Sequence, residues 1–316
     1  MSNPPDAIKG IVQPVSPVPS LSDNPFAIAA AETAKAMVLA KFYHAMQHPR
    51  DKASARLKIL ENCRRPSFAA QCRYKKPVGK GYVTGPTIRY AEMVLRCWEN
   101  IDIQSQLLYE DQRTKYWRIT CLDLETCLSY SRDLSISKVV ERKSAKDRIV
   151  IDQRVNSFKE PVYIVLATED EILNKESAGI SRVIRNDGLR LVHGDIVEEG
   201  LMVADQTLAN ELAEDPTVGW KRMVDAFSTI GIYPEDLKEY IKREYGKNDL
   251  THLSASVIQD LRGIYQAIRD GESKWSDYLE AGTSSTDDLT GKFLNGNNPS
   301  PEDLPKPANM PSTAQE

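Results

Sequence analysis

The feature that most constrains the fold is a change of hydrophobic period near residue 100. Residues 86–98 place apolar side chains at helical spacing, whereas residues 101–139 alternate with a period of two. Polar turns at Asp111–Thr114 and Glu125-Thr126 divide the second stretch into three strands, at 101–110, 115–124 and 127–139. Short turns of this kind join antiparallel neighbours. The sequence therefore predicts an antiparallel β-meander directly after an amphipathic helix.

The segment just before the meander, Arg64–Ile101, mixes cations with aromatic side chains. It holds eight Lys/Arg residues interleaved with three tyrosines and Trp98, and a Gly-rich turn at 76–85 interrupts it. A phosphate backbone with unstacked bases requires this combination of cations and flat rings. The alternative is that the tyrosines pack beneath the loop as core side chains.

Charge is distributed unevenly along the chain, although the net charge is only −4. Residues 41–160 hold 24 Lys/Arg against 14 Asp/Glu, and residues 161–316 hold 15 against 28. A basic body indicates a polyanionic partner. An acidic half is typical of a protein-binding or solubilising surface. The alternative is charge scattered over solvated faces without a binding role.

Motifs for nucleotide binding and catalysis are absent from the sequence. No GxxxxGK[ST] motif occurs, and Gly79, Gly81 and Gly85 form a GxGxxxG pattern that differs from the dinucleotide fingerprint. We therefore predict no cofactor and no enzymatic activity. Asp123 and Glu125 share one face at a strand end and are candidates for the metal-binding carboxylates of a nuclease. The alternative is that they are turn residues.

Cysteine usage and the N-terminal residues predict a cytoplasmic protein. The five cysteines are odd in number and form no CxxC pair, so we expect reduced thiols packed as small apolar groups. The first twenty residues lack the basic start and apolar core of a signal peptide, and no apolar run reaches the length of a membrane span.

Composition and helical periodicity divide the chain into four segments. We predict a disordered tail at 1–25, a core at 26–215, a small helical module at 216–279 and a disordered acidic tail at 280–316. The predicted helices, each marked by an apolar stripe or by end signals, are 25–48, 51–64, 86–98, 169–193, 195–214, 218–230, 234–246 and 254–270. A short extra hairpin is expected at 149–151 and 162–166.

Two blocks of the sequence resemble a group of phage and prophage recombination proteins. The matching positions in the first block are Pro49-Arg50-Asp51, Arg65-Pro66, Tyr74, Val83, Gly85-Pro86, Ile88-Arg89, Ala91-Glu92, Trp98 and Asn100-Ile101. Those in the second block, ESAGISRVIRNDGLRLVHGDIVEE, are Gly179, Arg182, Arg185, Gly194 and Asp195. The chain departs from the pattern at Gly81-Tyr82 and Glu99, where the family has glycine, and at Ser181, where it has arginine.

The order of elements also looks like the annealing core of the RecT, Red-beta and Rad fifty-two superfamily. This resemblance implies an α+β fold in which a helix, an antiparallel β-meander and a long helix are followed by a small C-terminal helical domain. It further implies ATP-independent binding of single-stranded DNA, annealing of complementary strands, and a homo-oligomeric ring or helical filament. The C-terminal module is similar to a tail module of such phage proteins, which implies contact with a phage exonuclease or the host single-strand-binding protein.

The candidate DNA-binding side chains are expected to contact phosphates, with Tyr74 and Tyr82 as stacking groups. They are Arg64, Arg65, Arg73, Tyr74, Lys75, Lys76, Lys80, Tyr82 and Arg89 in the basic segment, Lys138, Arg142, Lys143, Lys146 and Arg148 after the meander, and Arg182, Arg185 and Arg190 on the long helix. Two other functions remain open, a metal-dependent DNA nuclease and a coat protein that binds single strands without annealing them. The resemblance implies a bacterial host cytoplasm and no membrane partner.

Overall fold

A computed structural model describes residues 24–79, 81–145, 148–156, 159–214, 216–247 and 253–281. The predicted disordered tails lie outside this part, apart from residues 24–25 and 280–281, which belong to helix ends. The chain divides into two compact units, one of residues up to 73 with 86–210, and one of residues 74–85 with those from 211 onward. Among the described residues, no helix has both the length and the apolar character needed to cross a bilayer.

The first unit begins with four helices. They are α1 Pro25–Gln47, α2 Lys52–Cys63, the short α3 Pro66–Ala69 and α4 Ile88–Trp98. Side-chain caps precede three of them, α1, α2 and α4. The Asn24 side chain accepts the N–H of Phe26 at 3.0 Å, with proline at the first helical position of α1. Thr87 caps α4 by accepting the N–H of Tyr90 at 3.2 Å. The predicted helices at 25–48, 51–64 and 86–98 are thereby confirmed to within two residues.

The predicted β-meander is present. Strands β3 Ile101–Glu110, β4 Thr114–Asp123 and β5 Ser129–Ser137 pair in that order and are antiparallel. The third strand is shorter than the predicted 127–139, because Cys127 adopts a φ of 57° in the turn and cannot continue the strand. The coarse prediction of a mixed fold with antiparallel sheets is confirmed.

A second antiparallel sheet follows, where the sequence predicted only a short hairpin. Its strands are β6 Val139–Arg142, β7 Val150–Val155 and β8 Pro161–Leu166, in the order β6-β8-β7. The third meander strand was predicted to end at Val139. In the structure, Val139 pairs with Leu166 and Val140 pairs with Val165, so both belong to the second sheet. The hairpin prediction therefore located β7 and β8 and missed β6.

The predicted long helix at 169–193 is interrupted. Helix α5 spans Glu169–Val183, a π-helical turn covers Ile184–Gly188, a 3₁₀ turn covers Leu189–Leu191, and α6 spans Gly194–Glu214. The interruption lies where the chain passes close to α4, since a Cβ added at Gly188 would come within 2.8 Å of Leu95 Cδ1. Single π-helical turns inside helices are rare and often occur at functional sites.

The core of the first unit lies between α2, α4 and α6. Ile59 of α2 and Tyr90, Val94 and Trp98 of α4 are buried against Ala204 and neighbouring apolar residues of α6. Tyr90, Val94 and Trp98 recur at a spacing of four residues, which places them on one face of α4.

The second unit combines a β-hairpin with four helices. Strands β1 Arg73–Val78 and β2 Gly81–Pro86 form the hairpin, and the helices are α7 Pro216–Thr229, α8 Pro234–Tyr245, α9 Ala255–Arg269 and α10 Trp275–Ala281. The hairpin occupies the segment predicted to be a turn, and Gly79 provides the turn with a φ of 60°. A Cβ added at Gly263 of α9 would come within 3.0 Å of the Lys75 backbone nitrogen, so helix and strand touch through main chain. The predicted boundaries at 26–215 and 216–279 therefore differ from the structure, because residues 74–85 pack with the C-terminal helices.

Candidate nucleic-acid interface

Two exposed arginines share one buried carboxylate beside the meander. On β5, Leu134 and Ile136 face Gly179 of α5, and by strand alternation Arg132 lies on this same face one pair further along. Arg132 donates from Nε and Nη2 to the two carboxylate oxygens of Asp187, at 2.8 and 2.9 Å. The Asp187 side chain is 3% exposed and that of Arg132 is 54% exposed. The pair therefore presents a guanidinium to solvent from a fixed anchor.

The turn that carries Asp187 also positions a second arginine. The Arg190 side chain is 57% exposed, and its Nη1 lies 3.7 Å from an Asp187 oxygen. Its guanidinium carbon lies 4.1 Å from the centroid of the Tyr130 ring, a cation–π contact. The hydrogen bonds from Arg132 hold the pKa of Asp187 below its usual value, so the carboxylate is ionised at neutral pH. Arg182 is exposed at the end of α5, whereas Arg185 is buried and donates from Nε to an adjacent amide.

A second basic cluster surrounds Glu171 at the start of α5. Arg148 donates to this carboxylate at 2.7 Å, Arg142 also pairs with it, and the N–H of Thr168 donates at 2.9 Å. These bonds, that from Arg148 foremost, lower the pKa of Glu171 to about 2. Lys175 donates from Nζ to two main-chain carbonyls, and burial lowers its pKa. The sequence predicted Arg142 and Arg148 here, and the structure places them on one carboxylate.

The remaining predicted lysines after the meander have different surroundings. Lys143 is exposed. Lys138 donates from Nζ to Glu110 at 2.8 Å and to the carbonyl of Asp111 at 2.7 Å. Lys80 and Lys146 lie outside the described residues.

Four further predicted arginines belong to the first unit. Arg64 is exposed at the end of α2. Arg65 and Arg89 are exposed and donate to amide oxygens of nearby side chains, at 2.8 and 2.5 Å. Arg73 donates from Nε to both oxygens of Asp205, at 3.1 and 2.9 Å. Among the described residues, the first three have no carboxylate partner.

Two of the lysines predicted to bind DNA are paired with carboxylates within the second unit. Lys75 lies 2.7 Å from Asp260 of α9, and Lys76 lies 2.7 Å from Glu272. Both ammonium groups are largely buried, at 15% and 21% side-chain exposure. This differs from the expectation that both lysines contact phosphates, because Asp260 of α9 and Glu272 of the turn between α9 and α10 already pair with them.

The two predicted stacking tyrosines also face the protein. Tyr74 is buried. Tyr82 is half-buried, stacks at 6.4 Å on Tyr278 and donates to Glu244 at 3.3 Å. The alternative that tyrosines of this segment pack beneath the loop therefore describes both residues in this structure.

The carboxylates considered for a nuclease are bound to other side chains. Arg50 donates to both oxygens of Asp123, at 3.1 Å each. Glu125 accepts the main-chain N–H of Arg50 at 2.8 Å and the side-chain amide of Asn100 at 2.6 Å. Within the described ranges, no three His, Cys, Asp or Glu side chains are grouped as metal ligands. The geometry supports the turn-residue alternative.

Sequence reasoning missed Tyr130, Arg132 and Asp187. A signal for Arg132 exists, because an arginine on the strand face that also carries Leu134 and Ile136 is out of place unless it is paired. No local pattern identifies Asp187 as the partner, since 55 residues separate the two. Comparisons with models of protein families, with curated proteins and with solved structures find no match to this chain.

Proposed function

We propose that this protein binds single-stranded DNA and anneals complementary strands without nucleotide hydrolysis, as in phage-type recombination in a bacterial cytoplasm. The observation that carries the proposal is the pair of exposed guanidiniums of Arg132 and Arg190 beside Tyr130, flanking a meander and helix in the order that the family resemblance implies. Guanidinium groups bind phosphates, and a neighbouring ring adds a stacking surface for bases. Annealing requires no covalent step, so phosphate neutralisation with accessible bases suffices.

An annealing assay tests this proposal against its rivals. Complementary labelled strands are mixed with the protein without ATP, with and without Mg²⁺, over a range of salt concentrations. We expect faster pairing than without protein, and an affinity for single strands that falls steeply with salt because phosphate contacts release counterions. Shortened strands would instead indicate a nuclease, protection without pairing would indicate a coat protein, and an affinity that ignores salt would contradict the proposal altogether.

Exposed apolar residues support a homo-oligomer. In α1, Leu39, Tyr43 and Met46 recur at spacings of four and three and are 60%, 65% and 77% exposed. The outer surface of the meander also exposes apolar side chains, among them Leu107 and Tyr109 of β3. Exposed apolar surface of this kind indicates a protein contact. We propose that α1 of one copy binds the apolar meander surface of the next, because two different surfaces pairing head to tail generate a ring or a filament.

Charge placed on this helix should break the oligomer. Replacing Leu39 and Met46 with glutamate is expected to reduce the assembly to single chains at a concentration where the unchanged protein is multimeric, since a buried unpaired carboxylate opposes association. Size-exclusion chromatography with light scattering measures the mass. Ala30→Glu, on the opposite side of the same exposed helix, is the control and should leave the mass unchanged. A monomeric unchanged protein, or a double variant of unchanged mass, would contradict the proposed contact.

The second unit is proposed to bind a protein partner, either a phage exonuclease or the host single-strand-binding protein. Its support is an exposed Tyr233 next to the acidic first turn of α8, which carries Glu235 and Asp236. Point changes at these residues are preferable to deleting the unit, since deletion would also remove the partners of Lys75 and Lys76.

A further inference from the structure

The Asp187 carboxylate is an unusual anchor for a surface arginine. Burial of a carboxylate is costly unless hydrogen bonds compensate for lost water, and Asp187 obtains that compensation from Arg132, whose own side chain is more than half exposed. By contrast, Arg118 of β4 and Asp133 of β5 also form a bidentate pair, but both side chains are about half exposed, at 48% and 50%. Burying only the carboxylate fixes the position of the guanidinium while leaving it accessible.

We propose that Asp187 is a positioning residue that holds Arg132 and Arg190 as a two-arginine clamp for a phosphodiester group of single-stranded DNA. This inference rests on the proposed function. Arg132 uses Nε and one N–H of Nη2 on Asp187, which leaves three N–H groups, two on Nη1 and one on Nη2, for phosphate oxygens. Arg190 is held less tightly, at 3.7 Å from Asp187, and is kept in place by the ring of Tyr130.

Two consecutive helical turns carry these groups. Asp187 lies in the π-helical turn at Ile184–Gly188 and contacts Arg132 of β5, and Arg190 lies in the 3₁₀ turn at Leu189–Leu191, with its guanidinium over Tyr130. Residues three apart share one side of a helical segment, so both side chains reach β5. Arg132 comes from the strand and Arg190 from the turn, so the clamp depends on their packing together.

The proposal predicts an effect opposite in sign to that of simple electrostatics. If net charge alone determined affinity, removing the negative charge of Asp187 would tighten DNA binding. If Asp187 positions the arginines, removing its charge frees two long side chains and binding weakens, although the surface becomes more positive. The sign of the change therefore separates the two explanations.

Fluorescence anisotropy tests the clamp. The full-length protein is titrated into a labelled oligothymidylate at several salt concentrations, and the affinity is measured at each. Asp187→Asn is expected to weaken binding about tenfold, the worth of one charge-assisted contact. Arg132→Ala and Arg190→Ala should each reduce the slope of log affinity against log salt by about one. Asp133→Asn, which frees Arg118 of the neighbouring strand β4 on the opposite face of the sheet, is the matched control and should not weaken binding.

The binding results that would contradict the clamp differ from those that would contradict the proposed function. Tighter or unchanged binding by Asp187→Asn, with an unchanged salt slope, would overturn the clamp. Absence of binding by the unchanged protein would overturn the proposed function itself. If Asp187→Asn fails to fold in a thermal unfolding scan, Arg132→Lys replaces it, because it keeps the charge and loses the bidentate geometry. Weaker binding by Arg132→Lys supports the clamp, and full affinity with an unchanged slope contradicts it.

Discussion

Replacing Arg50 with methionine is expected to lower the free energy of unfolding by about 3–5 kcal/mol, the usual cost of leaving a buried charge unpaired. The Arg50 side chain is 4% exposed. It donates to both oxygens of Asp123, to the carbonyl of Trp98 at 2.5 Å and to that of Glu99 at 2.9 Å. Its guanidinium also lies 4.7 Å from the Trp98 ring centroid. One side chain thereby joins the end of α4 to the end of β4.

The backbone that Arg50 holds is itself strained. Glu99 adopts a φ of 63° and a ψ of 169°, a region nearly restricted to glycine, and Asn100 follows with a φ of 51°. Such conformations persist only where surrounding bonds enforce them. Loss of Arg50 removes the donor to the Glu99 carbonyl, so the turn between α4 and β3 should relax as well.

Chemical denaturation of the two variants Arg50→Met and Arg118→Met measures the effect. Arg118 makes the same bidentate contact to an aspartate of the meander but in solvent, at 2.8 Å to each oxygen. Its removal should hardly move the denaturation midpoint, because exposed pairs contribute little. Equal, small decreases in the free energy of unfolding of both variants would contradict the stabilising role of Arg50.

The pH dependence of stability should reverse in the Arg50 variant. Burial by itself raises the pKa of Asp123, but the hydrogen bonds from Arg50 and from main-chain N–H groups outweigh it and lower the pKa. The unchanged protein therefore gains stability from Asp123 above the ordinary aspartate pKa, near 4, and loses it as pH falls through the lowered value. Without Arg50, only the main-chain N–H groups oppose burial, the largest single effect, so the pKa of Asp123 should rise and the variant should gain stability as pH falls. Adding Asp123→Asn to the variant should remove this pH dependence and restore part of the stability.

Replacing Gly200 with alanine is expected to lower the free energy of unfolding by about 1–3 kcal/mol, the usual cost of overpacking a core. A Cβ at this position of α6 would overlap the Tyr90 hydroxyl and lie 3.1 Å from Ile59 Cγ2. Tyr90 is buried, and its hydroxyl donates to the carbonyl of Val197 at 2.6 Å. The ring therefore has no room to retreat without breaking that bond.

A double-mutant cycle with Tyr90→Phe separates overlap from other effects of the substitution. Removing the hydroxyl removes the closest atom, so Gly200→Ala should cost less in the Tyr90→Phe background than alone. Gly194→Ala is the control in the same helix, because a Cβ there meets nothing within 4 Å. Additive changes in the cycle, or equal changes at Gly194 and Gly200, would contradict the overlap.

Much of the local structure followed from the sequence because its causes are local. Asn24 before Pro25, Gly246 after α8 and the alternation through β3, β4 and β5 act over a few residues. The predicted helices at 25–48 and 234–246 and the predicted meander are confirmed. The strand β6 and the interruption of the long helix were missed. Both depend on partners distant in sequence, Leu166 for Val139 and Leu95 for Gly188.

The pairing and exposure of the charged residues could not be predicted from the sequence. The concentration of cations in residues 41–160 and the antiparallel meander between helices are both readable from the sequence. Which of these cations face solvent depends on tertiary packing. Lys75 and Lys76 are neutralised by Asp260 and Glu272, whereas Arg132 is held exposed by a buried Asp187. An ion pair forms only where packing brings two charged side chains within a few ångströms of each other. Hydrophobic periodicity does not indicate which two side chains those are.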